Sequence, residues 1–103
     1  ISKINENKII ISKSEVWNKN VLSKGILIIK KNQKLTIKKE LIIPENGTIF
    51  LEKNSKLIVD GGKIYCPSKG WKGVIQKKNK FFKFIFKSKH GEILLINDGE
   101  INY

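Results

Sequence analysis

The chain has no arginine, no alanine and no methionine, and it has a single cysteine. Each absence narrows what the protein can be. With Cys66 alone there is no intrachain disulfide, and a cysteine-based metal site is not expected; a lone thiol of this kind is expected to pack as a small hydrophobe. Without arginine, the planar fork that grips phosphates and base edges in a bidentate way is missing, so sequence-specific nucleic-acid recognition is not expected. No stretch reaches the ~18 to 20 consecutive apolar residues of a membrane helix, and no charged-then-apolar leader is visible. Because the chain begins at Ile1 rather than Met, it reads as a piece of a longer precursor, and a missing leader does not argue against export.

What is present is lysine. The 103 residues hold 21 basic side chains, all of them lysine, against 9 acidic ones, for a net charge of +12. Such a charge invites a polyanionic partner. Lys, Ile and Asn, all abundant here, are however the residues of A/T-rich codons, whereas Arg and Ala need G/C, so part of the charge follows codon bias. At 40% hydrophobic residues the chain can fold, and its length suits one domain. The densest basic stretch is KKNQKLTIKK, whose Lys30, Lys31, Lys34, Lys38 and Lys39 are the candidate polyanion-contacting surface.

The apolar residues come in short β-branched runs, III at 9–11, ILII at 26–29, LII at 41–43 and TIFL at 48–51. Runs this short, bounded by Lys, Asn and Gly, favour strands and leave essentially no helix. They also repeat. Laying GILIIKKNQKLTIKKELIIP (25–44) over GTIFLEKNSKLIVDGGKIYC (47–66) matches Gly25 with Gly47, Asn32 with Asn54, Lys34 with Lys56 and Leu35 with Leu57. The offset of 22 residues leaves no room for a helix and predicts an all-β fold, a parallel β-helix whose coils stack ~4.8 Å apart.

The period places coils at about 25–46, 47–68, 69–90 and an incomplete 91–103, preceded by an N-terminal cap or lead-in strand over 1–24. It puts Ile93 and Leu95 of GEILLIN in register with Ile49 and Leu51, and Trp71 at the Ile49 position of the coil between. Alternation along each strand then makes Leu27, Ile29, Leu35, Ile37, Ile49, Leu51, Leu57, Val59, Ile64, Ile93 and Leu95 the expected core. The lysines of KKNQKLTIKK fall at turns or outward positions, matched one coil on by Glu52, Lys53, Lys56, Asp60 and Gly61.

Trp17, then ILII, KNQKLTI, GTIFLEKNSKLIVDGGKIY and the WKGV of 71–74 resemble a pattern of the pectin-lyase-like, right-handed parallel β-helix regions of large secreted or surface-anchored bacterial proteins. The resemblance implies a scaffold segment near the start of an extracellular solenoid, secreted or at the cell surface. It does not imply a catalytic site.

The residues themselves offer little chemistry. Enzymes on this fold that cleave acidic polysaccharides use clustered carboxylates, and here Asp60, Asp98 and the glutamates are spread singly. Asp60 opens the turn DGG, where Asp and Gly serve local hydrogen bonding and positive φ. His90 has no nucleophile placed beside it by a motif and reads as a turn residue. Trp17 and Trp71 could stack on sugars, but their positions favour a cap and a core role. Asn46-Gly47-Thr48 matches a glycosylation sequon, yet Gly47 is a repeat landmark and marks a turn. Phe81, Phe82, Phe84 and Phe86 alternate with Lys80, Lys83 and Lys87, as in a strand more than in a single-strand-binding stack. No catalytic, cofactor or metal residue is assigned.

The expected function is a non-enzymatic structural or adhesive module of a larger exported bacterial protein. Its expected partners are the remainder of its own chain and, through the lysines, anionic polysaccharide or cell envelope. The alternatives are a non-catalytic fragment of a β-helix polysaccharide enzyme and a basic nucleic-acid- or polyanion-binding module.

Overall fold

A computed structural model describes residues 3–5, 7–76 and 91–103, with side chains from residue 7 onward. Among the described residues thirteen short strands form three sheets and no helix occurs. The first coil is β2 (Lys8–Ile11), β3 (Glu15–Trp17) and β4 (Val21–Leu22); the second is β5 (Ile26–Ile29), β6 (Lys34–Ile37) and β7 (Glu40–Ile42). The third is β8 (Thr48–Leu51), β9 (Lys56–Asp60) and β10 (Lys63–Tyr65), and a further turn contributes β11 (Val74–Gln76), β12 (Glu92–Ile96) and β13 (Glu100–Ile101). A short β1 (Lys3–Asn5) lies antiparallel on the outer edge of β2.

Every other pairing is parallel and joins one coil to the next. The first strands stack in the order β2-β5-β8-β11, the second as β3-β6-β9-β12 and the third as β4-β7-β10-β13, which makes the chain a parallel β-solenoid. The repeat is visible in the ladders: Leu27 pairs with Ile49, Leu35 with Leu57 and Ile37 with Val59, each 22 residues on. Strands this short cannot stand alone, because each backbone N–H and C=O across the sheet needs a neighbour; stacking supplies it from the adjacent coil.

The core is a set of aliphatic columns running along the solenoid. Leu27, Ile29, Leu35, Ile37, Ile49, Leu51, Leu57, Val59 and Ile64 are buried within it. Ile9 and Ile11 of the first coil, Leu41 within β7 and Ile43 just after it belong to the same cluster, although the period did not single them out. The first 24 residues are more than a lead-in: β2, β3 and β4 pair in parallel with β5, β6 and β7 and form a coil of their own. Its turns are shorter, so Ile9 meets Leu27 only 18 residues on, and an alignment at one fixed offset passes over it.

Two register expectations fail at the other end. Ile93 and Leu95 pair with Leu57 and Val59, not with Ile49 and Leu51, so GEILLIN is the second strand of its turn and not the start of a coil. As the outer strand of its sheet, β12 has no coil stacked on it among the described residues. Ile93 is therefore only half-buried and Leu95 is 51% exposed, which removes Leu95 from the core. In the turn before, Val74 and not Trp71 stands opposite Ile49, a slip of three residues. Trp71 is buried all the same, in the bend that leads into β11.

Two adjacent glycines show how closely the coils approach. Gly61 has φ +73°, a left-handed value that costs L side chains ~1 to 2 kcal/mol. A Cβ on Gly62 would meet the Lys39 carbonyl oxygen of the coil below, closer than real Cβ contacts come. The DGG turn is thus set as much by the neighbouring coil as by its own geometry.

Candidate functional site

The five candidate lysines do not share one surface. Lys30, Lys31 and Lys34 lie at the bend between β5 and β6, whereas Lys38 and Lys39 lie between β6 and β7. All five are exposed. The Lys30 ammonium is 3.3 Å from a Glu52 carboxylate oxygen, the other oxygen of which accepts the Lys31 backbone N–H at 3.2 Å. Lys38 pairs at 3.8 Å with Asp60, whose second oxygen accepts from the Asn97 side-chain amide at 2.6 Å. The Lys39 carbonyl accepts the Lys63 N–H across the coils. Exposed pairs of this kind are each worth ~1 kcal/mol or less, but they offset the charge of Lys30 and Lys38.

Lys34 differs. It opens β6, where its register partner in the next coil is Lys56 at the start of β9. Two like charges therefore sit one rung apart, ~4.8 Å along the axis. Among the described residues neither ammonium forms an ion pair within 4.0 Å, and the register partner of Lys56 on its far side is Glu92. The pair lines a groove of about 260 Å³ together with Ser14, Asn32, Gln33 and Asn54.

Hydrogen bonds between the stacked turns shape that groove. Asn32 and Asn54 occupy equivalent turn positions with φ of 64° and 59°, the left-handed region in which Asn is the best-tolerated side chain after Gly. Asn54 Nδ2 donates to Asn32 Oδ1 at 2.8 Å, one rung of an amide ladder along the solenoid. Below it the buried Ser55 hydroxyl donates to the Glu52 carbonyl at 2.7 Å and closes the turn. On the first coil, Ser14 Oγ accepts the Lys34 N–H at 3.0 Å, and Gln33 Oε1 accepts the Ser14 N–H at 3.0 Å and its hydroxyl at 3.3 Å. Sequence reasoning found Lys34 but missed Ser14, Gln33 and Lys56 as its companions. The signal for Lys56 was present, since Asn32/Asn54 and Lys34/Lys56 match at the same offset; Ser14 belongs to the first coil, whose shorter turns hide it.

The two tryptophans sit at opposite ends of the described coils. Trp17 is half-buried, stands opposite Ile37 and packs on the core, with its indole N–H donating at 3.0 Å to Glu15. Trp71 donates from its indole N–H to the Asn102 carbonyl at 2.9 Å, and its ring stacks on Tyr103 with centroids 5.5 Å apart and planes within 5°. Both indoles thus spend their polar edge inside the chain. Asn46 of the sequon has φ 63° and donates its N–H to Gly70, a turn position.

Two titratable groups are displaced. The Tyr65 hydroxyl donates to Glu40 at 2.9 Å, and that hydrogen bond, helped by desolvation and the carboxylate charge, raises its pKa. Cys66 is free and buried; its sulfur lies 3.2 Å from the Ser68 hydroxyl, and that contact, with the N–H groups of the same turn, lowers its pKa against the opposing effect of burial. Asp60, placed between Lys38 and Asn97, is engaged in coil-to-coil contacts. Among the described residues no three His, Cys, Asp or Glu side chains gather as metal ligands, and no helix is long and apolar enough to cross a membrane. His90, the four phenylalanines of 81–86 and Lys80, Lys83 and Lys87 lie outside the described residues.

No family model, curated protein or solved structure matches the chain.

Proposed function

We propose that the chain is a non-enzymatic structural and adhesive module of a larger exported bacterial protein, of the kind found in the pectin-lyase-like regions its repeat resembles, and that it works outside the cell or on its surface. The observation that supports this reading is the way the coils add. Each strand of β5 to β13 lies parallel on the strand one coil before it, so length grows by repetition while the outward side chains vary freely. Between Lys34 and Lys56 the outward charge is kept, and between Lys38 and Asp60 it reverses. A scaffold needs that division of labour, with inward positions held apolar and outward ones open to whatever the surface must meet. Its partners are the remainder of its own chain and, at the lysine-bearing turns, anionic polysaccharide or cell envelope.

The test is made in the organism that encodes the chain. An antibody to residues 25–66 is expected to detect a polypeptide longer than this one in the envelope or culture fluid. The 103-residue chain incubated with polygalacturonate is expected to release no reducing ends. A free cytoplasmic product, or steady release of reducing ends, would overturn the reading.

A further inference from the structure

We infer that the groove along the stacked first bends of the three coils, lined by Ser14, Asn32, Gln33, Lys34, Asn54 and Lys56, binds the acidic groups of a linear polysaccharide. It rests on the reading of the coils as a display surface and names a place on the described surface where that surface selects a ligand.

The argument is the imbalance of its hydrogen-bonding groups. The acceptors on the wall are largely spent: Gln33 Oε1 takes both the N–H and the hydroxyl of Ser14, Ser14 Oγ takes the Lys34 N–H, and Asn32 Oδ1 takes Asn54. The orientation of Gln33 is fixed by chemistry, because the backbone N–H of Ser14 can only donate. Its Nε2 therefore points away from that bond with neither proton spent among the described residues, and Asn32 Nδ2 likewise has no acceptor there. To these neutral donors are added the ammonium groups of Lys34 and Lys56, stacked one rung apart with no ion pair among the described residues. Asn54 Oδ1 is the amide acceptor left over, and Glu92, opposite Lys56 in β12, is the nearest register-placed carboxylate. A wall rich in donors and poor in acceptors recruits carboxylate or sulfate oxygens.

Size and composition select the kind of polymer. At about 260 Å³ the groove is smaller than a typical small-molecule pocket and suits a single charged sugar unit of a chain running along the solenoid. No aromatic ring lines it, so a nucleic acid would find neither a stacking platform nor, in a chain without arginine, a bidentate phosphate contact. The amide and hydroxyl groups beside the lysines are the usual partners of sugar oxygens.

The experiment measures binding of the 103-residue chain to polygalacturonate, heparin, neutral dextran and single-stranded DNA over a salt series, by calorimetry. K34Q/K56Q is compared with K19Q/K24Q, which removes the same charge from exposed positions of the first coil outside the groove. Q33E gives a third variant: it keeps the acceptor for the Ser14 N–H, so the turn stays closed, but replaces the free donor by a negative charge. The inference expects K34Q/K56Q and Q33E each to weaken binding to the acidic polysaccharides by about tenfold, with a salt slope lower by about 1.5 for the lysine pair, while K19Q/K24Q stays within about twofold. Polygalacturonate and heparin separate carboxylate from sulfate as the preferred group. Equal loss in the two lysine pairs, no binding by the unchanged chain, or tighter binding to DNA than to either acidic polysaccharide would overturn it. Failure of the non-enzymatic reading would be seen separately, as reducing ends released in the same samples.

Discussion

The second and third coils differ from the last one in a way that separates what a repeat needs from what it merely contains. From β5 to β9 the bends between the first and second strands match in length, the aliphatic columns are closed on both sides by another coil, and Leu35, Ile37, Leu57 and Val59 are fully or almost fully buried. In β12 the inward positions are again aliphatic, yet Ile93, opposite Leu57, is only half-buried and Leu95, opposite Val59, is 51% exposed. The strands have the same chemistry and the same kind of ladder. What differs is whether a further coil covers them, so burial here belongs to the stack and not to the strand.

Substitutions that use identical chemistry in the two places test this most strongly. Leu57→Ala should destabilise the fold by about 2 to 5 kcal/mol, the usual cost of a cavity in a closed core, whereas Leu95→Ala should cost less than about 1 kcal/mol. Urea unfolding of the two variants measures both, and equal costs would erase the distinction. Next in size is Gly62→Ala, whose new methyl group would press on the Lys39 carbonyl of the coil below; a loss of about 3 kcal/mol is expected, against ~1 to 2 kcal/mol for Gly61→Ala, where only the positive φ is at stake. Asn54→Ala removes the 2.8 Å amide rung and puts alanine in a left-handed position, and should cost about 2 kcal/mol by thermal unfolding. The smallest effect has the opposite sign. Lys34→Gln relieves the stacked like charges of Lys34 and Lys56 and should stabilise the chain by a few tenths of a kcal/mol at low salt, a gain that shrinks as salt screens the pair.

The sequence was most legible where the coils are most alike. Asn32 and Asn54, Lys34 and Lys56, Leu35 and Leu57 recur at one spacing because the turns around them share the same left-handed asparagine, and the ladders follow that spacing. Legibility fell wherever a bend changed length. The first coil is shorter, so its Ile9 and Ile11 were left out of the expected core. Beyond β11 the chain runs from Gln76 to Glu92 before its next described strand, so counting a whole number of periods from Gly47 to Gly91 put a second strand in the place of a first. A better signal lay in the turn itself. KLIVDGGKI and EILLINDGEI align with one inserted residue, bringing Gly62 to Gly99 and Ile64 to Ile101, and the ladders pair Lys63 with Glu100 and Ile64 with Ile101.

The groove was only partly readable, for a related reason. Its charge is local to KKNQKLTIKK, but its shape comes from three coils: Ser14 from the first, Asn32, Gln33 and Lys34 from the second, Asn54 and Lys56 from the third. Proximity in sequence grouped Lys34 with Lys38 and Lys39, which the structure sends to a different bend. Stacking grouped it with Lys56 instead.

Cysteine pairs at outward, register-matched positions probe that stacking directly, in a Cys66→Ala background. Adjacent parallel strands ~4.8 Å apart lie within the Cα separation a disulfide spans. T36C/I58C should oxidise readily, since Thr36 and Ile58 face each other across β6 and β9, and so should I58C/L94C across β9 and β12. K72C/L94C, one 22-residue period apart and so on adjacent coils if the period ran on unbroken, should stay reduced, because Lys72 lies against Gly47 whereas Leu94 lies against Ile58. Efficient closure of K72C/L94C, or failure of T36C/I58C, would contradict the stack of coils described here.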